Sequence, residues 1–159
     1  DAQAVAFSTA SSNAALPVTL RCVQRNLGVS RSVSSFVIAL GATINMNGTA
    51  MYLGLVAVFG AQIYGIDLTV TSYVLIGLTA TLGSVGAAGI PGSGLIMLGL
   101  VLGTIGVPLE TIAFVAGINH IMDMMRTMNN VTGDATVAVA VGRMAGEIDV
   151  EEYVSDDDI

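Results

Sequence analysis

Residues 86–94 read GAAGIPGSG, and they place four glycines and a proline inside an apolar stretch that runs from Thr71 to Ile105. The apolar part on either side is shorter than the roughly 20 residues that a membrane-spanning helix needs. A turn so rich in glycine and proline is more than a helix kink requires. We therefore expect a re-entrant hairpin, in which two short helices enter the membrane and return to the same side; one kinked spanning helix is the alternative. Irregular backbone at that depth has to be buried in protein or line a wet cavity.

The composition around this hairpin is that of a membrane protein. Charged residues make up 11% of the chain and the mean hydropathy is +0.79, whereas soluble domains carry about 25% charged residues. Residues 32–145 contain only six charges, a density typical of membrane segments. The six are Asp67, Glu110, Asp123, Arg126, Asp134 and Arg143.

The net charge of −7 is concentrated at the C-terminal end, where seven of the twelve acidic residues lie in the tail 147–159. It therefore gives no support to a nucleic-acid partner. Cys22 is the one cysteine of the sequence, so no disulfide can form within the chain. The sequence begins at Asp1 as though already inside a helix, and we expect an N-terminal part of the protein to precede it.

The apolar stretches divide the chain into four membrane segments and a tail. The first segment is interrupted by SSNAALP (11–17) and the second by NMNGT (45–49). We predict an all-α membrane protein with re-entrant hairpins, a broken helix and a long helix. The predicted boundaries are 1–28 for the first hairpin, 32–65 for the broken helix, 71–106 for the second hairpin, 109–146 for the last helix and 147–159 for an acidic cytoplasmic tail.

The arginines predict the orientation of these segments. Every arginine except Arg126 lies in or beside the connection before the broken helix, or at the end of the last segment. If the second hairpin returns to its starting side, these four arginines share one side of the membrane, and the opposite loops, at 65–67 and 106–108, carry no basic residue. The positive-inside rule then predicts a multi-pass protein of the cell membrane with a cytoplasmic C-terminus.

The last segment carries a polar stripe within NHIMDMMRTMNNVTGD (119–134). At about 100° per residue its polar positions fall within roughly 60° of one line. Charges inside a membrane cost about 2.5–3.5 kcal/mol each to insert, so they indicate function. A structural salt bridge between Asp123 and Arg126 is the alternative, but it leaves Asp134, about 16 Å further along the helix, unexplained. The stripe consists of Asn119, Asp123, Arg126, Thr127, Asn130 and Asp134.

These residue types fit a cation and a zwitterion. Carboxylates, amide oxygens such as those of Asn45 and Asn47, and carbonyls freed by a helix break form the oxygen environment that suits a hard cation. The planar fork of Arg126 suits a carboxylate, and Asp123 suits an ammonium group. Together they predict an amino acid with an additional carboxylate as the substrate.

Other polar and sulfur-containing residues have more ordinary predicted roles. Ser11, Ser12 and Asn13 indicate a hairpin tip or a helix start, where capping is an equally good explanation. His120 is predicted to pack or to form a hydrogen bond. The methionines, which include Met46, Met51 and those of 122–128, are predicted to pack rather than to hold a cofactor.

Two other functions would use the same charged residues. An intramembrane aspartyl protease needs two carboxylates about 3 Å apart, whereas eleven positions of one helix separate Asp123 from Asp134. A sodium channel would suit re-entrant tips, but an acid beside an arginine recognises a zwitterion rather than an ion. We therefore expect a carrier that is not an enzyme and has no cofactor, with sodium as the coupling ion.

Four motifs resemble the dicarboxylate/amino-acid:cation symporter family, which includes the excitatory glutamate transporters and archaeal aspartate transporters. They are SSNAALPVT (11–19), INMNGTAMY (44–52), GAAGIPGSG (86–94) and DMMRTMNNVTGD (123–134). The resemblance implies a transport domain with inverted repeats, in which two hairpin tips meet over the substrate. It implies symport of L-aspartate or L-glutamate with sodium by an elevator-type movement. It also implies surrounding lipid and a homotrimer held by N-terminal scaffold helices that this sequence lacks.

The resemblance implies roles for individual residues as well. Asp123 would bind the amino group, Arg126 the side-chain carboxylate and the backbone of Ser12 the other carboxylate. The remaining substrate-binding positions would be Thr49, Gly89, Ile90, Thr127 and Asn130. The sodium positions would be Gly41, Asn45, Asn130 and Asp134 for one ion, and Thr43, Ser84, Val85 and Ala87 near the Met46 sulfur for a second.

The chain departs from the family pattern at two positions. The usual NMDGT is NMNGT here, so Asn47 replaces an acid that helps to hold a third sodium ion, and Asn119 stands where many relatives have an acid. Relatives specialised for neutral amino acids lack the arginine at position 126, and dicarboxylate carriers lack the aspartate at 123. This chain has both, which favours an acidic amino acid. Symport of a neutral amino acid or a C4-dicarboxylate, with protons as another coupling ion, is the alternative function.

Overall fold

The structure is helical along nearly its whole length. The computed structural model describes residues 1–87 and 89–154, which form nine α-helices and no extended strand. The predicted all-α fold is confirmed for this part of the chain; the end of the predicted tail, 155–159, lies outside the described residues. The helices are α1 (Ala2–Thr9), α2 (Ser12–Arg25), α3 (Arg31–Ile44), α4 (Asn47–Ile63), α5 (Val70–Gly86), α6 (Ser93–Thr104), α7 (Thr111–Ala116), α8 (Asn119–Ala145) and α9 (Val150–Tyr153).

The interruption in the first segment separates α1 from α2. Ala10 takes a left-handed conformation with φ of 49°, and it ends α1. The hydroxyl of Ser11 then accepts a hydrogen bond from the N–H of Ala14 (3.2 Å). That bond satisfies one of the free N–H groups at the start of α2. The capping role considered for the serines is therefore confirmed at Ser11.

The interruptions in the second and third segments are also present. Asn45 and Met46 separate α3 from α4. Between α5 and α6, Gly92 has a φ of 81°, a conformation that favours glycine. α5 and α6 have 17 and 12 residues, so each is shorter than a typical spanning helix. The re-entrant path of this pair stays a prediction.

The predicted last helix, 109–146, consists of two helices rather than one. Gly117 and Ile118 separate α7 from α8. The N–H of Ile118 donates to the carbonyl of Val115, three residues earlier (3.1 Å), which is a tighter turn than that of an α-helix. Glycine is a weak helix former, so Gly117 accounts for the position of this interruption.

α8 lies at the centre of the packing and contacts α1, α2, α3 and α4. One hydrophobic core joins α4, α5 and α6 and contains the fully buried Leu53 and Leu98. A second core joins α2, α3 and α8 through Val23, Ile38 and Ala138. Because these cores fix the helices on either side of the α3–α4 and α5–α6 breaks, they position these two interruptions near the middle of α8.

Much of the outer surface is apolar. Phe36, Met51, Leu82 and Ile96 are each at least 70% exposed, so the packing predicted for Met51 is wrong within the described residues. The run Arg31–Ile63, which includes the break, is long and apolar enough to cross a membrane by length and composition. An apolar surface of this extent suits contact with lipid or further protein.

The chain after α8 returns to the connection between α2 and α3. The N–H of Asp149 donates to the carbonyl of Gly28 (2.8 Å), and the N–H of Ser30 donates to the carbonyl of Glu147 (3.0 Å). The Ser30 hydroxyl also hydrogen-bonds the Glu147 carboxylate. The two connections that were predicted to be cytoplasmic therefore lie at the same end of the fold.

Candidate functional site

The polar stripe of α8 faces the interior of the protein. Each of its six residues is at most 7% exposed. Buried polar groups cost free energy unless they are paired, so the partners of the stripe define the candidate site. These partners come from the α3–α4 break, α4 itself and loop 89–92, and the α1–α2 connection contacts that loop.

The Asp123 carboxylate is held by two different elements. Its Oδ1 accepts a hydrogen bond from Nε of Arg126 (2.8 Å), one turn away on α8. Its Oδ2 accepts a bond from the backbone N–H of Gly92 (2.6 Å), in the loop between α5 and α6. The predicted pair between Asp123 and Arg126 is thus present, and the loop between α5 and α6 reaches the same carboxylate.

Arg126 is only partly satisfied by these contacts. Its Nη1 and Nη2 are buried and have no hydrogen-bond partner among the described residues. The guanidinium carbon lies 4.4 Å from the centre of the Tyr52 ring, a cation–π distance. A Cβ atom at Gly94 would overlap the guanidinium group, so a larger residue there would require the Arg126 side chain to move. Two unpaired buried nitrogens cost about 1–3 kcal/mol each, which an anionic ligand would remove.

The α1–α2 connection and loop 89–92 meet at one carbonyl. The Gly89 oxygen accepts hydrogen bonds from the Ser11 hydroxyl (2.8 Å) and the Asn13 N–H (3.2 Å). Ser12, predicted to meet a carboxylate, is 3% exposed between these two donors. The side chain of Ile90, predicted to line the pocket, is 53% exposed.

Asn130 attaches the α3–α4 break to α8. Its amide oxygen accepts a hydrogen bond from the Gly48 N–H (2.7 Å), and its amide nitrogen contacts the Met46 sulfur (3.2 Å) and the Thr49 hydroxyl (3.4 Å). A Cβ at Gly48 would lie 2.5 Å from the carbonyl oxygen of Arg126, so the break packs directly against the α8 backbone.

Asp134 forms a second buried acidic position. It is 1% exposed, and its Oδ1 accepts a hydrogen bond from the Asn45 amide (2.9 Å). A Cβ at Gly41 would lie 2.3 Å from the same oxygen, so α3 and α8 approach closely here. Among the described residues the one salt bridge joins Asp123 and Arg126, which leaves Asp134 without a basic partner. A buried carboxylate beside amide and backbone oxygens suits a hard cation such as sodium.

The second predicted cation set lies at helix ends. Thr43 is near the C-terminus of α3 and Ser84 near that of α5, and these helices pack together. The Ala87 N–H donates to the Ser84 carbonyl (3.1 Å), and Val85 lies between them in sequence. Helix C-termini present unpaired carbonyls and a partial negative charge, which favour a cation. No cluster of three or more His, Cys, Asp or Glu side chains is found in the described part of the chain.

The structure adds Tyr52 to the residues of the site. Besides facing Arg126, it donates its hydroxyl hydrogen to the Asn119 amide oxygen (3.1 Å). Tyr52 lies three residues after Thr49 and on the same helical face, and this spacing is the sequence feature that could have indicated its place in the site. His120, predicted to pack or to form a hydrogen bond, is exposed and has no hydrogen-bond partner among the described residues.

The chain matches the sodium:dicarboxylate symporter family over residues 1–144. It is 47% identical over 130 residues to an excitatory amino acid transporter of Caenorhabditis elegans, an alignment that covers 82% of this chain and 26% of the relative. It is 48% identical over 130 residues to excitatory amino acid transporter 2 of Homo sapiens, covering 82% and 23% of the two chains. It is 42% identical over 148 residues to excitatory amino acid transporter 4 of Mus musculus, covering 92% and 26%. The chain therefore spans about a quarter of the length of these curated relatives. With this match and the motifs at its helix interruptions, the chain belongs to the sodium:dicarboxylate symporter family.

Proposed function

We propose that the chain forms the substrate and cation sites of a membrane symporter that moves L-aspartate or L-glutamate with sodium ions. The observation that carries this proposal is the buried Arg126 guanidinium, whose Nη1 and Nη2 have no hydrogen-bond partner among the described residues although Nε is paired with Asp123. A planar fork with two free nitrogens is suited to a carboxylate. Relatives named as amino acid transporters favour a carrier over an enzyme.

The bound amino acid would meet opposite charges at three points. Its ammonium group would bind Asp123, and its side-chain carboxylate would bind Arg126. Its main-chain carboxylate would bind at the start of α2, where the Ser12 backbone lies in the positive end of the helix dipole. Thr49 and Thr127 are buried beside these groups and would complete the pocket, together with Gly89, Ile90 and Asn130. A neutral amino acid would leave the arginine unpaired, and a C4-dicarboxylate would place an anion beside Asp123.

Charge balance explains why sodium would accompany the substrate. The charges of Asp123 and Arg126 cancel, whereas Asp134 leaves one buried negative charge, and a monoanionic amino acid adds another. Two sodium ions neutralise both charges and remove the cost of burying them. We place one ion at Asp134, with oxygens of Gly41, Asn45 and Asn130. The second belongs at the carbonyls of Thr43, Ser84, Val85 and Ala87, near the Met46 sulfur.

The arrangement in the membrane is part of the same proposal. The helix pairs α1–α2 and α5–α6 would be re-entrant hairpins related by an inverted repeat, with the arginine-bearing end in the cytoplasm. The whole domain would move like an elevator against scaffold helices that hold a homotrimer in lipid. Exposed apolar side chains such as Phe36 and Ile96 supply the surface that such contacts need.

Sodium flux distinguishes this carrier from a channel built on the same polar stripe. The full-length protein would be reconstituted in liposomes, and uptake of radioactive sodium would be followed at increasing aspartate concentrations. A carrier gives a flux that depends on aspartate and saturates with it. Sodium flux of equal size without aspartate would show a channel instead.

Labelling of single cysteines tests the proposed topology. In a cysteine-free background, the exposed Asp67→Cys and Glu110→Cys are expected to react with an impermeant maleimide from outside the cell, and the exposed Arg25→Cys only after permeabilisation. The reason is that a re-entrant α5–α6 pair returns the chain to the side from which it entered. Opposite accessibility of positions 67 and 110 would contradict the hairpin and support a full crossing.

Replacing Asn47 by aspartate is expected to add about one coupled sodium ion. Asn47 is the first residue of α4, and a Cβ at Gly133 would lie 2.6 Å from its amide nitrogen, so a carboxylate there would face α8. A carboxylate holds a buried cation more strongly than a neutral amide does. Reversal-potential measurements on reconstituted protein count the ions; a wild-type value of three would contradict this interpretation of Asn47.

The energetic consequence of that substitution is large. Two sodium ions with one monoanion move one net charge, so 100 mV supplies about 2.3 kcal/mol and a tenfold sodium gradient adds about 1.4 kcal/mol per ion. The total of roughly 5 kcal/mol concentrates substrate several thousand-fold, and a third ion would raise it to nearly 9 kcal/mol.

A further inference from the structure

A crevice between α3 and α8 leads from the outer surface to Asp134. Its volume is about 200 Å³. Asp134 is 1% exposed and lies at the inner end, whereas the side chains of the rim are apolar and each at least 39% exposed. The crevice therefore opens on the apolar outer surface of the protein. Its rim consists of Phe36, Leu40, Ile44, Val137 and Val141.

The inner end of the crevice is polar and has unused acceptor capacity. Asn45 and Asp134 line it, and the Asn45 amide donates to Oδ1 of Asp134 (2.9 Å). Oδ2 of Asp134 accepts no hydrogen bond from the described residues. Gly41 also lines the crevice, and because a Cβ there would lie 2.3 Å from Oδ1, its missing side chain leaves the carboxylate open on this side. A buried carboxylate with a free acceptor oxygen favours a cationic donor.

We propose that this crevice is a binding site for a lipophilic ammonium ion, that is, a protonated amine with a short apolar chain. The ammonium group would donate to Oδ2 of Asp134, and the chain would pack between Leu40 and Val137 on opposite walls. The inference rests on the proposed function, because Asp134 is the carboxylate to which we assign a sodium ion. The amine would reach that carboxylate from the outer surface of the helices and compete with sodium for it.

The chemistry of the lining selects this class of ligand. The described residues offer Asp134 no basic partner, so an uncharged chain would leave the carboxylate unpaired and an anion would be repelled by it. A sodium ion prefers oxygen ligands and gains nothing from apolar walls. An amine with an alkyl chain uses both parts of the crevice. The volume is that of roughly seven water molecules in the liquid, so a short alkyl chain fits.

Hexylammonium is expected to raise the sodium concentration that half-saturates aspartate binding, because the amine and sodium cannot share the Asp134 charge. Each methylene group that enters the crevice should strengthen this inhibition by about fourfold, so butylammonium should act more weakly. Saturating sodium should restore the affinity for aspartate, as competition requires. Hexanol has the same chain without the charge and should leave the sodium dependence unchanged.

Variants of the crevice walls separate this effect from a general action of the amine on the protein. Val137→Phe adds volume on the α8 wall and Leu40→Phe adds volume on the α3 wall. Neither residue belongs to the proposed sodium or substrate sites, so both variants should bind aspartate as the wild type does while losing the response to hexylammonium. Ile96→Phe enlarges an exposed side chain of α6, outside the crevice, and should respond as the wild type does.

The experiment measures aspartate binding to the purified full-length protein over a range of sodium concentrations, with hexylammonium, butylammonium, hexanol or no addition. A shift in sodium dependence that hexanol does not reproduce, and that the wall variants lose, supports the site. No shift in the wild type, which is also the result if another part of the full-length protein fills the crevice, would overturn the crevice proposal and leave the proposed function intact. An equal shift in the wall variants that still bind aspartate would overturn it as well. Absence of sodium-dependent aspartate binding to the wild type would overturn the proposed function itself.

Discussion

Replacing Arg126 by cysteine is expected to abolish binding of aspartate and glutamate while weak binding of serine or alanine remains. The substitution removes the two free guanidinium nitrogens that we assign to the side-chain carboxylate, and it leaves Asp123 to bind an ammonium group. Losing one partner of a buried charged pair costs about 2–5 kcal/mol, so acidic substrates should lose at least about thirtyfold in affinity. Competition against radiolabelled substrates in the reconstituted full-length protein measures both effects.

Two further variants control that experiment. Arg126→Lys keeps the charge but loses the planar fork, so its affinity for aspartate should lie between those of the wild type and the cysteine variant. Arg143→Cys changes an exposed arginine at the far end of α8 and should leave affinity unchanged. Retained binding of a neutral amino acid shows that the protein is folded. Unchanged aspartate affinity in Arg126→Cys would show that the arginine has a structural role.

Asp134→Asn is expected to abolish sodium-driven uptake. The amide has nearly the shape of the carboxylate, but it removes the one buried negative charge that has no basic partner in the described residues. Without that charge the sodium ion that we assign to Asp134 would lose its counter-ion, and the amino acid would lose the ion that balances it. Aspartate accumulation against a gradient should fall to the level of passive equilibration.

The control for this variant is Asp67→Asn, which changes an exposed acid in the connection between α4 and α5. It should accumulate aspartate as the wild type does. Accumulation by Asp134→Asn at the wild-type level, still dependent on sodium, would place the coupling ions elsewhere.

The local features of the fold were accessible from the sequence because short-range chemistry determines them. The pair between Asp123 and Arg126 follows from their spacing of three on one helix. The serine that caps α2 and the glycines between α5 and α6 mark helix ends through hydrogen bonding and backbone freedom. The break at Gly117 was missed because single glycines are common inside membrane helices and do not by themselves predict an end.

The long-range contacts could not be derived in this way. The hydrogen bond between Asn45 and Asp134 joins residues 89 positions apart, and only the packing of α3 on α8 brings them together. The contact between the Gly92 N–H and Asp123 depends on the path of a loop whose residues carry no charge. Tyr52 lies in an apolar stretch, and its role follows from the side chain that it faces rather than from its neighbours in sequence.

The most direct test of the central claim is uptake of radiolabelled aspartate by the full-length protein in liposomes, with and without an inward sodium gradient. We expect aspartate to accumulate inside the liposomes when sodium is high outside, and to equilibrate without accumulation when sodium is equal on both sides. Excess unlabelled glutamate should compete more strongly than serine or succinate. Accumulation that is independent of sodium, or none under any gradient, would contradict a sodium-coupled site built on Asp123, Arg126 and Asp134.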